Sequence, residues 1–150
     1  MVDKILKKFE KRDDNLLPAL IALEGAKPEK YISYDEMKAI AQHFNLPLAK
    51  VKGVITFYSH LSLKPRGKYI IRVCESLPCT VNGALPVIEC FRQELGLDIG
   101  GTTYDGHFTL ETTSCMGHCA RGPSCMINDD VYYDLNEEKI RKLIREYQEK

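Results

Sequence analysis

The sequence lacks several features that mark common functional classes. No apolar run approaches the ~20 residues that a membrane-spanning helix needs, and residues 1–15 have no apolar core typical of a secretion signal. The 21 basic and 21 acidic side chains cancel, so the composition offers no excess positive charge for nucleic acid or anionic lipid. Neither a Gly-x-Gly-x-x-Gly fingerprint nor a P-loop lysine is present. We therefore expect a cytoplasmic protein that does not insert into a membrane, binds no nucleic acid and has no nucleotide site of its own.

Cysteine is absent from the first half of the chain. All six cysteines lie at or after Cys74. In a reducing compartment such a group indicates metal binding or catalysis before it indicates disulfides. The length of 150 residues suits one domain, or one domain with an appended helical segment. Because composition and pattern both change near Pro65-Arg66-Gly67, we predict a helical segment over residues 1–64 and a second domain over residues 65–150.

Residues 1–64 show the periodicity of helices. Ser33 and Glu36 form a capping-box signature, and apolar residues then recur on one helical face as far as Phe44. Pro47 at a first helical position predicts a second helix, and a shorter helix is predicted upstream of both. These segments predict a small helical bundle.

The second half changes to a pattern typical of alternating strands and helices. A buried strand is predicted at Tyr69–Val73, a helix at Ala84–Leu95 and a further strand at Phe108–Glu111. A hairpin is predicted around residues 128–130, and an amphipathic helix at Ile140–Tyr147 closes the chain. The predicted order, β-α-β-β-β-α, is compatible with a thioredoxin-like layer. The predicted fold class is α+β, with an N-terminal helical bundle followed by a thioredoxin-like mixed sheet with flanking helices.

Four cysteines form two closely spaced pairs. Cys74 and Cys79 form a C-x4-C loop at the end of one predicted strand, and Cys115 and Cys119 form a C-x3-C loop after another. A 2Fe-2S cluster needs two thiolates on each iron, and two short loops at neighbouring strand ends can deliver them. Gly117 suits a backbone that must turn closely around inorganic sulfide. The spacing therefore predicts one 2Fe-2S cluster held by these four thiolates.

Other uses of the four cysteines remain open at this point. Structural zinc accepts four thiolates from similar loops, although zinc loops favour tighter C-x2-C turns. The chain would then be a zinc-stabilised interaction module without redox activity. A thioredoxin-type thiol oxidoreductase would need C-x2-C beside a helix start, and that motif is absent. Four cysteines buried in the core are the remaining alternative.

Four further side chains are expected in the core. Cys90 lies within a predicted helix and Cys125 precedes the predicted hairpin, and free cysteine is commonly a core residue. Phe57 and Tyr58 stand at a helix end, where an aromatic pair is more often core than a surface for a partner.

Two basic residues accompany the C-x3-C loop. His118 lies within the loop and Arg121 lies two residues beyond it. A positive charge near the sulfurs would stabilise a reduced cluster and raise its reduction potential. The alternative is that both are solvent-facing loop charges with little effect.

At its two cysteine loops, the sequence resembles the thioredoxin-like 2Fe-2S ferredoxin family. This family includes the small iron-sulfur subunit of respiratory NADH dehydrogenase, of NAD-linked hydrogenases and of NAD-linked formate dehydrogenases. The resemblance covers nearly the whole chain. Besides the two cysteine loops, it is carried by Tyr31-Ile32-Ser33, Thr56-Phe57-Tyr58, Pro65-Arg66-Gly67-Lys68, the segment from Gly101 to Glu111, and Ile127-Asn128-Asp129.

The resemblance implies a set of ligands and partners. The family's cluster ligands fall on Cys74, Cys79, Cys115 and Cys119, whereas the stretch Gly122-Pro123-Ser124-Cys125 differs from the family's usual small-residue-Pro pattern. Family members sit against a flavoprotein subunit that binds FMN and NAD(H), so we expect those cofactors on a partner and not on this chain. The chain is then expected to be a non-catalytic electron-transfer subunit that works beside this flavoprotein and a catalytic subunit, with residues 1–64 docking the flavoprotein.

Overall fold

The computed structural model describes residues 2–150, and the chain divides into two compact units between Arg66 and Gly67. Each unit has its own hydrophobic core. Within the described residues, no helix combines the length and the apolar character needed to cross a membrane. The fold is α+β, as predicted.

The first unit, which ends at Arg66, consists of helices around an aliphatic core. Its elements are α1 (Val2–Leu6), a 3-10 turn (Asp13–Asn15), α2 (Leu16–Gly25), α3 (Tyr34–Phe44) and α4 (Leu48–Phe57). The predicted capping box at the start of α3 is confirmed, because the Glu36 N–H donates to the Ser33 hydroxyl and the Ser33 N–H donates to the Glu36 carboxylate. Asn45, in the left-handed conformation with φ 53°, ends α3.

Two largely buried ion pairs lie within this helical unit. Arg66 Nη2 is 2.9 Å from Glu24 Oε1, and Arg66 Nε donates to the carbonyl of Lys30 at 3.0 Å. Lys27 Nζ is 2.5 Å from Glu36 Oε2. Because each of these charges has an opposite charge in contact, the cost of removing it from water is offset. The first unit therefore neutralises its buried charges with its own side chains.

The aromatic pair at the end of α4 lies on the surface, so the prediction that it belongs to the core was wrong. Phe57 is 79% exposed and Tyr58 is 41% exposed, and their rings form an edge-to-face pair with centroids 5.1 Å apart. Helix α4 turns Val51 and Ile55 inward. Phe57 follows Ile55 by two positions, which places it on the opposite helix face. Tyr58 leaves the helix in an extended conformation.

The second unit, Gly67–Lys150, is built on a mixed four-stranded sheet. Its elements are β1 (Tyr69–Cys74), α5 (Leu77–Val81), α6 (Ala84–Leu95), β2 (Phe108–Thr113), a 3-10 turn (Cys119–Arg121), β3 (Cys125–Ile127), β4 (Asp130–Tyr132) and α7 (Glu137–Gln148). The strand order is β2-β1-β3-β4, with β1 parallel to β2 and antiparallel to β3, and β3 and β4 form an antiparallel hairpin. Apart from the short α5, the predicted order of elements is confirmed.

A side-chain ion pair between neighbouring strands helps to fix the register of the sheet. Arg72 on β1 and Glu111 on β2 are register partners, and Arg72 Nε lies 3.0 Å from Glu111 Oε2. A shift of one residue would break this pair and exchange the two faces of β1, both of which are buried. Cys90 and Cys125 are both buried in the core of this unit, as predicted.

Candidate metal centre

Two neighbouring strands end side by side in the second unit, and one cysteine pair lies at or just after the end of each. The parallel register sets Cys74, the last residue of β1, opposite Thr113, the last residue of β2. The Glu75 N–H donates to the Thr113 carbonyl at 3.0 Å, so the hydrogen bonding continues just beyond the strand. The C-x4-C and C-x3-C segments therefore leave the sheet at the same edge.

Cys74 and Cys79 form the buried half of the site. Each is 1% exposed, and both pack with Ala84. The segment between them was predicted as a loop but begins the short helix α5, which contains Cys79. Pro78 lies in the first turn of α5, where its missing N–H leaves no helical hydrogen bond unmade. This turn brings Cys79 back beside Cys74.

Cys115 and Cys119 form the more exposed half of the site. Their Sγ atoms lie 3.3 Å apart, and the Gly117 N–H donates to Cys115 Sγ at 3.3 Å. Gly117 has a φ of +85°, a conformation that glycine adopts without strain. The side chain of Met116 packs against the cluster of buried residues that contains Cys74. Through Met116, the second loop lies against the first cysteine pair, which is distant from it in sequence.

The thiols perturb one another's pKa. The hydrogen bond from Gly117 lowers the pKa of Cys115. The pKa of Cys119 is raised, chiefly by its hydrogen bond to Cys115, then by burial and by the charges of nearby thiolates, which include Cys79 and Cys74. Burial is the main cause of the raised pKa of Cys79, and its hydrogen bond with Cys74 adds to it. Sulfurs close enough to disfavour each other's negative charge are suited to share a cationic centre as thiolates.

The segment after the second pair packs directly against Cys79. A Cβ atom at position 122 would lie 3.1 Å from Cys79 Sγ, so Gly122 keeps this space open. Ser124 is buried, and its Oγ lies 3.7 Å from Cys79 Sγ. Ser124 was not predicted as a site residue. The available signal was a serine placed immediately before a predicted buried strand and close after the second cysteine pair.

The chemistry of these donors fits a 2Fe-2S cluster. The thiols come as two pairs from adjacent strand ends, a backbone N–H already points at one sulfur, and a glycine leaves room beside another. Over residues 2–150, no three or more Cys, His, Asp or Glu side chains are grouped so as to hold a metal ion, so the four thiols stand as two pairs and not as one group. Cys90 and Cys125 lie apart from this site in the hydrophobic core, and burial raises the pKa of Cys125 to about 12.

The basic residues of the second loop contact the segment that follows β4. Arg121 Nη2 is 2.6 Å from Asp134 Oδ2, with the two side chains 61% and 46% exposed. The Arg121 guanidinium lies 4.8 Å from the centroid of the Tyr133 ring. The His118 and Tyr133 ring centroids are also 4.8 Å apart. The carboxylate of Asp134 offsets the charge of Arg121. An effect of Arg121 on a reduction potential stays a prediction.

Known proteins resemble this chain over most of its length. The sequence model of the family described as "Thioredoxin-like [2Fe-2S] ferredoxin" matches residues 2–148. The NADP-reducing hydrogenase subunit HndA of Solidesulfovibrio fructosivorans is 38% identical over 117 residues, which are 78% of this chain and 68% of that subunit. The E subunit of the NADH-quinone oxidoreductase of Escherichia coli (strain K12) is 39% identical over 109 residues, 73% of this chain and 66% of that subunit. The corresponding subunit of Rickettsia felis is 35% identical over 149 residues, 98% of this chain and 89% of that subunit.

A solved structure shows the same fold. The crystal structure of NAD+-reducing [NiFe]-hydrogenase in the air-oxidized state matches 89% of this chain with a TM-score of 0.76 and 20% sequence identity. The match covers 23% of that hydrogenase chain, and at this identity it supports the fold alone. The family match, by contrast, extends over both units and includes all four cysteines of the candidate site. The chain therefore belongs to the thioredoxin-like 2Fe-2S ferredoxin family, as its sequence motifs predicted.

Proposed function

We propose that this chain is an electron-transfer subunit that holds one 2Fe-2S cluster through Cys74, Cys79, Cys115 and Cys119. One observation carries the proposal: two cysteine pairs that are distant in sequence lie at the ends of adjacent parallel strands, and Met116 of the second loop packs against the first pair. When bound, the cluster supplies one-electron redox chemistry. The residues of this chain would hold it, with Cys74 and Cys79 on the buried side and the Gly117 N–H directed at the Cys115 sulfur.

The proposed partner in electron exchange is a flavin on an NAD(H)-binding subunit. A one-electron centre cannot take up a hydride directly, whereas a flavin accepts a hydride as a two-electron unit and releases the electrons singly. The names of the relatives, a hydrogenase subunit and NADH-quinone oxidoreductase subunits, support a parent complex of this type. The candidates are a hydrogenase, an NADH dehydrogenase or a formate dehydrogenase, whose catalytic subunit is the second expected partner. The proposed location is the cytoplasm, where thiols stay reduced.

The flavoprotein subunit is proposed to dock on the N-terminal helical segment, residues 1–64. Phe57 and Tyr58 support this proposal because they expose a large aromatic surface, and aromatic residues are enriched at protein interfaces. Replacing Phe57 by Ser should weaken co-purification of the flavoprotein while the visible spectrum of the cluster stays unchanged. Lys52→Ala, at an exposed position on the same helix, serves as the matched control. Equal co-purification with Phe57→Ser and with the unaltered chain would contradict docking through this pair.

The cofactor is tested by purifying the full chain without oxygen. We expect about two irons and two sulfides per chain, visible absorbance, and an electron paramagnetic resonance signal after one-electron reduction. A zinc-stabilised interaction module would instead give stoichiometric zinc, no iron and no colour. That result would contradict the proposed function.

The division of labour between subunits has a separate test. Adding NADH to the isolated iron-loaded chain should leave the visible spectrum in its oxidised form. Adding NADH together with the co-purified flavoprotein should bleach the spectrum as electrons reach this chain. Rapid bleaching by NADH without any flavin would contradict the proposed role of the partner.

A further inference from the structure

Ser124 is a buried polar residue whose position is fixed from both sides. It is 1% exposed and lies immediately before β3. Its backbone carbonyl accepts a hydrogen bond from the Cys74 N–H at 3.0 Å. The preceding residue, Pro123, accepts a hydrogen bond from the Leu135 N–H at 3.1 Å. The hydroxyl of Ser124 is therefore presented from a backbone that has little freedom to move.

The hydroxyl of Ser124 faces a sulfur of the proposed cluster. Its Oγ lies 3.7 Å from Cys79 Sγ, within hydrogen-bonding distance for a sulfur acceptor. Cys79 is itself buried among Cys74 and Ala84, which offer the hydroxyl no oxygen or nitrogen from their side chains. A buried hydroxyl without a hydrogen bond is unfavourable, so this sulfur is its natural partner.

The neighbouring glycine keeps this contact possible. A Cβ at Gly122 would approach Cys79 Sγ to 3.1 Å and Cys79 Cα to 3.5 Å. A larger residue there would crowd the Cys79 sulfur. Gly122 and Ser124 thus act on the same sulfur in different ways, since one leaves space beside it and the other supplies a donor.

We infer that the Ser124 hydroxyl donates a hydrogen bond to the Cys79 thiolate and thereby raises the reduction potential of the bound cluster. This inference rests on the proposed function, in which Cys79 is a ligand. A hydrogen bond draws electron density away from a ligand sulfur, so it stabilises the reduced form, which carries more negative charge, more than the oxidised form. The step it biases is the gain of one electron from an external donor, with no bond broken. Because Ser124 acts through Cys79, it is a positioning residue.

The test is a redox titration of the iron-loaded chain, with Ser124→Ala compared with Ser114→Ala. Ser114 is an exposed serine beside Cys115, so its replacement controls for a general change near the loops. We expect Ser124→Ala to keep the cluster but to shift the midpoint potential downward, so that the reduced-to-oxidised ratio at a fixed potential falls several-fold. Ser114→Ala should titrate like the unaltered chain. Exchange into deuterated water should also give a hydroxyl deuteron coupling in pulsed electron paramagnetic resonance that Ser124→Ala lacks, while couplings from the backbone amides of Ser124 and Gly117 remain.

A second pair of variants keeps the inference testable if Ser124→Ala does not retain the cluster. Threonine and valine have the same shape and differ in the hydroxyl, so Ser124→Thr should titrate at a higher potential than Ser124→Val. Equal potentials in the hydroxyl-bearing and hydroxyl-free members of the pair that retains the cluster would overturn the role of Ser124. An unaltered chain without iron would instead contradict the proposed function, so the two failures are distinguishable.

Discussion

Both units pair buried charges internally, the second through Arg72 and Glu111, but only the second unit also buries two thiols beside each other. The helical unit pairs Glu24 with Arg66 and Lys27 with Glu36, so its buried charges are neutralised internally. The second unit buries Cys74 and Cys79 beside each other, and burial raises the pKa of Cys79. The negative charges of the Cys74 and Cys79 thiolates are neutralised only when a cationic centre binds them. We therefore expect the first unit to be indifferent to the cofactor and the second to depend on it.

Replacement of a proposed ligand should give the largest effect. Cys79→Ser should remove most of the iron and the visible spectrum, because a cluster held by two thiolates on each iron loses one of them. The helical unit contains no cysteine, so its protection against hydrogen exchange should not change. Iron analysis and region-resolved hydrogen exchange measure the two effects.

A core cysteine provides the matched control for that experiment. Cys125 is fully buried in the sheet core, so Cys125→Ala should lower stability but leave the spectrum of the cluster nearly intact. Equal loss of iron from Cys79→Ser and Cys125→Ala would overturn the ligand assignment.

Removal of the cluster from the unaltered chain should have the next largest effect. Stripping iron with a chelator under reducing conditions should lower the melting temperature of the second unit by roughly 20 °C, as expected for a domain of this size that loses about 4 kcal/mol. Hydrogen exchange as a function of temperature can follow Ile71 of the sheet and Ile40 of α3 separately. Loss of protection in both units to the same extent would contradict the contrast between them.

Loss of the helix cap should have a smaller effect, and it should lower the stability of the first unit instead of the second. Ser33→Ala removes the side chain that accepts the Glu36 N–H, and this should cost the first unit about 1 kcal/mol of stability. The cluster spectrum should be unchanged. Chemical unfolding followed by far-ultraviolet circular dichroism measures the loss of stability, and the visible spectrum reports the state of the cluster. Bleaching of the visible spectrum in Ser33→Ala would contradict the expectation that the first unit is indifferent to the cofactor.

The pH dependence of the free energy of unfolding should reveal how much the Glu36 carboxylate stabilises the fold. Burial alone would raise its pKa, but hydrogen bonds from Lys27 and Ser33 outweigh burial and hold the pKa below its ordinary value of 4.5. A carboxyl group whose pKa is lower in the folded state stabilises the fold above its ordinary pKa, and this stabilisation is lost as the pH falls toward the folded value. Unfolding free energies of the unaltered chain should therefore decline more steeply below pH 4.5 than those of Glu36→Gln. Parallel curves would show that the carboxylate contributes little.

The smallest expected effect is that of Arg121. Arg121→Ala should lower the reduction potential only slightly, because the carboxylate of Asp134 already offsets the positive charge and both groups are exposed. Asp134→Asn should move the potential in the opposite direction by removing that offset. Redox titration of both variants is the measurement, and two unchanged potentials would favour a solvated loop charge.

Local chemistry explains which features the sequence could predict. The capping box depends on Ser33 and Glu36, which are three positions apart, so it could be predicted from the sequence. The β-α-β-β-β-α order could be predicted because it depends on the local periodicity of apolar residues. The exposure of Phe57 was predicted wrongly because it depends on which helix face neighbouring segments cover, and apolar character does not report that. The contact of Ser124 with Cys79 joins residues 45 positions apart, so it became visible only with the strand register.

The parallel register of β1 and β2 has a consequence for the unfolded chain. Because Cys74 lies opposite Thr113, a cluster shared by the two cysteine loops would join them as a covalent cross-link across the whole connection between the strands. A cross-link that closes a loop of this length removes conformational entropy from the unfolded state, worth roughly 4 kcal/mol by analogy with a disulfide. The cofactor would then act as a covalent cross-link as well as an electron carrier. Such a cross-link would persist in a reducing compartment, where disulfides do not.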